Sequence, residues 1–61
     1  MSFVKIARKR LAQMNTLKEV AKYEEKMTLL YSRHGVLSAR QLHLIIGLIA
    51  DREVEIDLAN D

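Results

Sequence analysis

The chain has 61 residues with no cysteine and no proline, and its net charge is +2. This length excludes a multidomain enzyme, and without cysteine the chain has neither a disulfide nor a thiolate metal site. Its apolar content of 49% is too high for a disordered chain, and no apolar run approaches the length of a membrane span. We therefore expect one small cytoplasmic domain over residues 1–61.

The charges are distributed unevenly along the chain. Residues 51–61 form an acidic tail with five acidic residues and one arginine. Residues 1–18 contain five basic residues and no acidic one. The two segments either neutralise each other in a folded hairpin or bind separate partners. The basic residues are Lys5, Arg8, Lys9, Arg10 and Lys18.

The clearest local signal is a turn at residues 34–38. Gly35 favours the left-handed backbone conformation that often ends a helix. Ser38 and Gln41 then have the spacing of a capping box, which begins a new helix. Together these signals predict two helices joined by a tight turn.

Apolar residues recur every three or four positions before this turn, which predicts helices at about 3–14 and 17–33. The apolar stripes of the two segments point in different directions. That change favours a break near Asn15-Thr16, and one continuous helix over 3–33 is the alternative.

A third helix is predicted over residues 39–52. Glu53 falls within its apolar stripe, so we expect the packing to end near Asp51. Both helical continuation and a short strand fit the alternating residues that follow. The helix carries two apolar seams, and a single chain of this size covers only one of them well. We therefore expect an all-α helical hairpin or three-helix arrangement that is completed by homodimerisation. The interface residues that we predict are Leu44, Leu48, Ile45 and Ile49.

No residue pattern predicts catalysis. His34 and His43 flank the turn and lack the four-residue spacing of a helical zinc pair. The chain has no phosphate-binding glycine loop and no arrangement that would activate a serine. We expect no enzyme activity, no catalytic, cofactor or metal site, and no cofactor.

Residues 35–58 resemble the first part of helix-turn-helix repressors, in which Gly47-Leu48 would form the turn. His43 and Ile49 depart from the residue types of that family at these positions. The acidic tail would also place negative charge on the recognition helix, which phosphate repels. Gly47 is more simply a glycine inside a helix.

Two functional hypotheses follow. The first is a small non-enzymatic regulator or inhibitor of phage, plasmid or bacterial type, which docks an apolar helical surface on a larger protein. The alternative is a regulator that binds nucleic acid through the basic N-terminal helix. We do not expect a membrane partner.

Overall fold

The protein consists of three α-helices, with no strand in residues 2–60, which the computed structural model describes. Helix α1 spans Phe3–Ala12, α2 spans Leu17–Ser32 and α3 spans Ala39–Ala59. Helix α3 contacts each of the other two helices more extensively than they contact each other. Helices α1 and α2 therefore lie side by side against one side of α3. The predicted all-α fold is confirmed.

A short linker separates α1 from α2, which confirms the predicted break at Asn15-Thr16 and excludes the continuous alternative. The Thr16 hydroxyl oxygen caps α2 by accepting a hydrogen bond of 3.2 Å from the backbone N–H of Glu19. The Arg52 guanidinium of α3 donates two hydrogen bonds, of 2.7 and 3.1 Å, to the carbonyl oxygen of Met14. This carbonyl lies outside any helix, so Arg52 satisfies it and fixes the linker on α3.

The turn between α2 and α3 has the predicted features. Gly35 has a φ of 62°, which glycine adopts without the steric cost that a Cβ would bring. Ser38 and Gln41 form a complete capping box: the Ser38 hydroxyl accepts at 3.1 Å and the Gln41 side chain accepts at 2.9 Å. The chain therefore reverses sharply, and α3 runs antiparallel to α2.

The third helix is longer than predicted. It continues to Ala59, so the predicted end at residue 52 is wrong, whereas the helical continuation is confirmed and the strand alternative is excluded. Glu53 does not interrupt the packing, because it lies half-buried at the edge of the apolar stripe and Ile56 beyond it is buried in the core. Neither glycine nor proline follows Gly47, so no local signal ends the helix earlier.

The core contains buried apolar side chains from all three helices and from the turn. The chain exposes 4669 Å², whereas a compact globule of 7.0 kDa exposes about 4,000 Å². Because both neighbouring helices lie on one side of α3, its far side has no layer to cover it. The core residues are Ala7, Leu11, Val20, Tyr23, Met27, Leu37, Ile45, Ile49 and Ile56.

Candidate interaction surfaces

The inner side of α3 packs against α1 and α2. Ile45 and Ile49, which the sequence placed in a partner or dimer interface, are buried there with exposures of 0% and 1%. They are core residues of the single chain and leave no surface for a second molecule. Periodicity could not separate them from interface residues, because both kinds of residue recur at the same helical spacing.

The other two predicted interface residues lie on the flank of α3 that faces α1. Leu48 is half-buried, and together with Leu11 it borders a shallow groove of about 200 Å³ between the two helices. Leu44 lies one turn earlier and is 48% exposed. Helix α1 therefore covers part of this seam, and Leu44 is the member that keeps substantial apolar surface.

A different apolar surface lies on α3 directly opposite the core. At about 100° per residue, Gly47, Ala50, Val54 and Leu58 fall within about 80° of one another on the side away from the buried isoleucines, and the exposed His43 precedes them in the same direction. We call these four residues the outward face. Val54 is 57% exposed and Leu58 is 68% exposed, more than any other large apolar side chain in the described range. The outward face is the largest departure from an ordinary amphipathic helix in this protein.

Sequence reasoning missed the outward face, although its residues are spaced by three, four and four positions. This spacing is a helical signal. The predicted helix end at residue 52 separated Val54 and Leu58 from Gly47 and Ala50, and so divided one surface between a helix and a tail. A predicted helix that extended to Ala59 would have placed all four residues of the outward face on one side of it.

Gly47 lies in the middle of α3 and is not required by the packing of the single chain. Apart from the helix's own nearby backbone, no heavy atom lies within 4 Å of the position that a Cβ would occupy. The residue also has no positive φ that would favour glycine. A glycine inside a helix costs about 1 kcal/mol relative to alanine. Because Gly47 has no side chain, another molecule can approach the backbone of α3 closely at this position.

The predicted basic patch is fully on the surface. Each of its five side chains is exposed. Within residues 2–60 the only ion pair joins Arg52 and Glu55, at 3.0 Å, so no direct ion pair there links the basic segment to the acidic tail. The patch comprises Lys5, Arg8, Lys9, Arg10 and Lys18.

Two of these cations lie on opposite flanks of α1. Arg8 borders the groove between α1 and α3, which Asp51 also lines. Arg10 borders a second groove, between α1 and α2, which Tyr23 also lines. Burial raises the pKa of the Tyr23 phenol above its ordinary value of 10.0, and the nearby Arg10 charge partly offsets this effect. Four of the five cations thus spread around the exposed sides of α1, and the fifth, Lys18, lies at the start of α2.

The described side chains form no candidate metal site. His34 is exposed in the turn, and His43 is exposed on α3. In the described part of the chain, no three His, Asp or Glu side chains are grouped so that they could hold a metal ion. No buried polar side-chain atom in that part lacks a hydrogen-bond partner.

No protein-family model matches the chain, and no match was found among curated proteins or solved structures. Among the described helices, none combines the length and the apolar composition needed to cross a bilayer. The molecule is thus a small three-helix protein with an uncovered apolar face on α3 and a cationic surface on α1.

Proposed function

We propose that this protein is a small non-enzymatic interaction protein that regulates or inhibits a larger protein by docking the outward face of α3 on it. The observation that supports the proposal is the exposure of Val54 and Leu58 on the side of α3 that no other helix covers. A helix that is apolar on opposite sides is normally buried on both. Covering a valine or leucine side chain contributes about 1.5–3 kcal/mol, so a partner that covers both residues gains substantial affinity.

Homodimerisation is part of the same proposal. The chain exposes 4669 Å², more than the roughly 4,000 Å² of a compact globule of its mass. A second copy would add the missing layer of helix over α3. A cytoplasmic location remains a prediction from the sequence.

Differential capture from a lysate of the source organism tests the docking function. The bait proteins are the wild type, Val54→Asp and the matched control Leu29→Asp, which places the same charge on an exposed apolar position of α2. We expect the wild type and Leu29→Asp to retain a protein that Val54→Asp loses. If all three baits retain the same proteins, the outward face is not the docking surface.

A second candidate function is binding of nucleic acid through the basic patch. It is supported by the exposure of all five cations and by the lack of any ion pair to them within residues 2–60. Cations spread along the outer side of a helix suit an extended row of phosphates better than they suit a small anion. This contact would not specify a base sequence.

A gel shift with duplex DNA tests the second candidate. Affinity should fall steeply with salt and should disappear when the three consecutive cations are removed together by Arg8→Ala, Lys9→Ala and Arg10→Ala. The control removes the same charge elsewhere, by Lys22→Ala, Lys26→Ala and Arg33→Ala, all at exposed positions of α2 or its end. No retardation of wild-type complexes at low salt, or equal loss in both triple variants, would rule out binding by this patch.

A further inference from the structure

We infer that the outward face of α3 is covered by a second copy of the chain, whose α3 runs antiparallel to the first and crosses it at Gly47. This inference rests on the proposed docking function, because it names an occupant of the same face. The larger partner and the second copy would compete for that face. The dimer would then be a form in which the docking surface is closed.

The charges of α3 favour the antiparallel orientation. Its first half, residues 39–46, contains Arg40 and no acidic residue. The second half, residues 51–60, contains four acidic residues and one basic residue, Arg52. Arg52 is already hydrogen-bonded to the linker carbonyl and to Glu55. Parallel pairing would place the acidic halves side by side, whereas antiparallel pairing places each acidic half beside a basic one.

Gly47 sets the crossing point. The space beyond its backbone is open, so two helices can approach there to about 8 Å, the lower limit for packed helices. If a twofold axis passes through this position, the two α3 helices pair symmetrically about Gly47. A residue n positions after Gly47 in one copy then faces the residue n positions before Gly47 in the other copy. Val54 then lies beside Arg40 of the second copy, whose aliphatic stem can cover it. Leu58 lies beyond the first residue of the second copy's α3, on the side of the turn that contains Val36, and both are exposed apolar residues within the single chain.

The same register forms two symmetry-related ion pairs. Arg40 and Asp51 lie on the same edge of α3, and a twofold axis brings like edges together. Arg40 is then offset by three residues, about 4.5 Å along the axis, from Asp51 of the second copy, which is within reach of an arginine side chain. Both side chains are exposed, and neither forms an ion pair within the described residues. Such pairs add little affinity and mainly select the orientation.

Sedimentation equilibrium of the purified full chain tests the second copy as occupant. Between low micromolar and several hundred micromolar concentration, the wild type should shift from monomer to dimer. Val54→Lys should raise the dissociation constant roughly tenfold or more, because an apolar contact is lost and a like charge is placed beside Arg40 in both copies. Leu29→Lys, which places the same charge on an exposed position of α2, should dimerise like the wild type. Circular dichroism of dilute samples should show equal helicity for the two variants, since both positions are exposed in the monomer.

Charge exchange then tests the orientation. Arg40→Glu and Asp51→Arg should each weaken the dimer, and the double variant should recover most of the wild-type affinity because the pair reforms with its signs reversed. A wild type that stays monomeric at every concentration would overturn the inference, and so would equal effects of Val54→Lys and Leu29→Lys. A lysate protein retained by the wild type and lost by Val54→Asp would still support docking in that case. Conversely, a dimer that Val54→Lys disrupts supports the inference even if no larger partner is captured.

Discussion

Helices α2 and α3 each bury one apolar stripe, but the residues on their solvent-facing sides differ. The outer side of α2 carries Lys18, Lys22 and Glu25, all exposed, together with one exposed leucine, Leu29, as expected for a helix that borders water. The outer side of α3 carries the outward face. The fold of the single chain therefore does not require apolar residues on the far side of a helix. A contiguous exposed apolar patch of this kind marks an interaction surface, whereas single exposed apolar residues are ordinary.

The largest expected effect contrasts the two sides of α3. Ile49→Ala should cost about 2–5 kcal/mol, because it leaves a cavity in the core and removes much of the stability of so small a domain. Val54→Ala should change the stability of the dilute monomer by less than about 0.5 kcal/mol. Thermal melts followed by circular dichroism measure both. Similar losses for the two variants would mean that the outer side of α3 is also packed within the single chain.

A second prediction concerns the contact that fastens the linker to α3. Arg52→Leu removes both hydrogen bonds to Met14 and should cost about 1–3 kcal/mol, because a half-buried carbonyl loses its partner. Glu55→Gln is the control: it removes only an exposed ion pair and should cost less than about 1 kcal/mol. Chemical denaturation measures both values. Equal costs would show that the ion pair, and not the linker contact, is what stabilises this end of the bundle.

The junctions between helices could be predicted from the sequence because local backbone chemistry decides them. Gly35 and Ser38 act through their own φ angle and hydroxyl group, and Thr16 acts in the same way at the start of α2. The end of α3 could not be predicted so easily. It depends on the burial of Ile56, which is a tertiary contact. In the sequence, Glu53 indicates an end to the apolar stripe, because periodicity does not show that this side chain is only half-buried.

The interface residues were harder to predict for a related reason. Periodicity gives the angle between residues on a helix, but it does not say which direction faces the core. On α3 that direction is set by where α1 and α2 pack. The sequence therefore placed Ile45 in an interface although it lies in the core, and it missed Val54, which lies on the surface.

The two glycines provide a third test, with effects of opposite sign. Gly47→Ala should stabilise the dilute monomer by about 1 kcal/mol, since a methyl group there meets open space and improves helix propensity. Gly35→Ala should destabilise it by about 1–2 kcal/mol, because its φ of 62° is strained for an L side chain. Thermal melts at low concentration compare them. Destabilisation by Gly47→Ala would mean that this glycine serves packing inside the chain.

The smallest effect concerns Tyr23, on the inner side of α2. Burial disfavours its charged form, so the neutral phenol stabilises the fold at neutral pH, and this contribution is lost as the pH rises through the raised pKa. In a Tyr31→Phe variant, Tyr23 is the only tyrosine, and its ultraviolet titration should have a midpoint above 10.0. A midpoint at or below that value would show that the groove between α1 and α2 is open to water.

Disulfide trapping tests the pairing of two α3 helices most directly. The chain has no cysteine of its own, so any disulfide that forms joins the introduced thiols. In Gly47→Cys, the two thiols meet at the crossing, where a widening of the helix separation by an ångström or two gives the Cα distance of about 4.4–6.8 Å that disulfides have. In Val54→Cys, they lie about 21 Å apart along antiparallel helices. We predict that mild oxidation links Gly47→Cys into covalent dimers much faster than Val54→Cys. Equal rates would indicate parallel helices or random collision, and no linkage in either variant would contradict a dimer through this face.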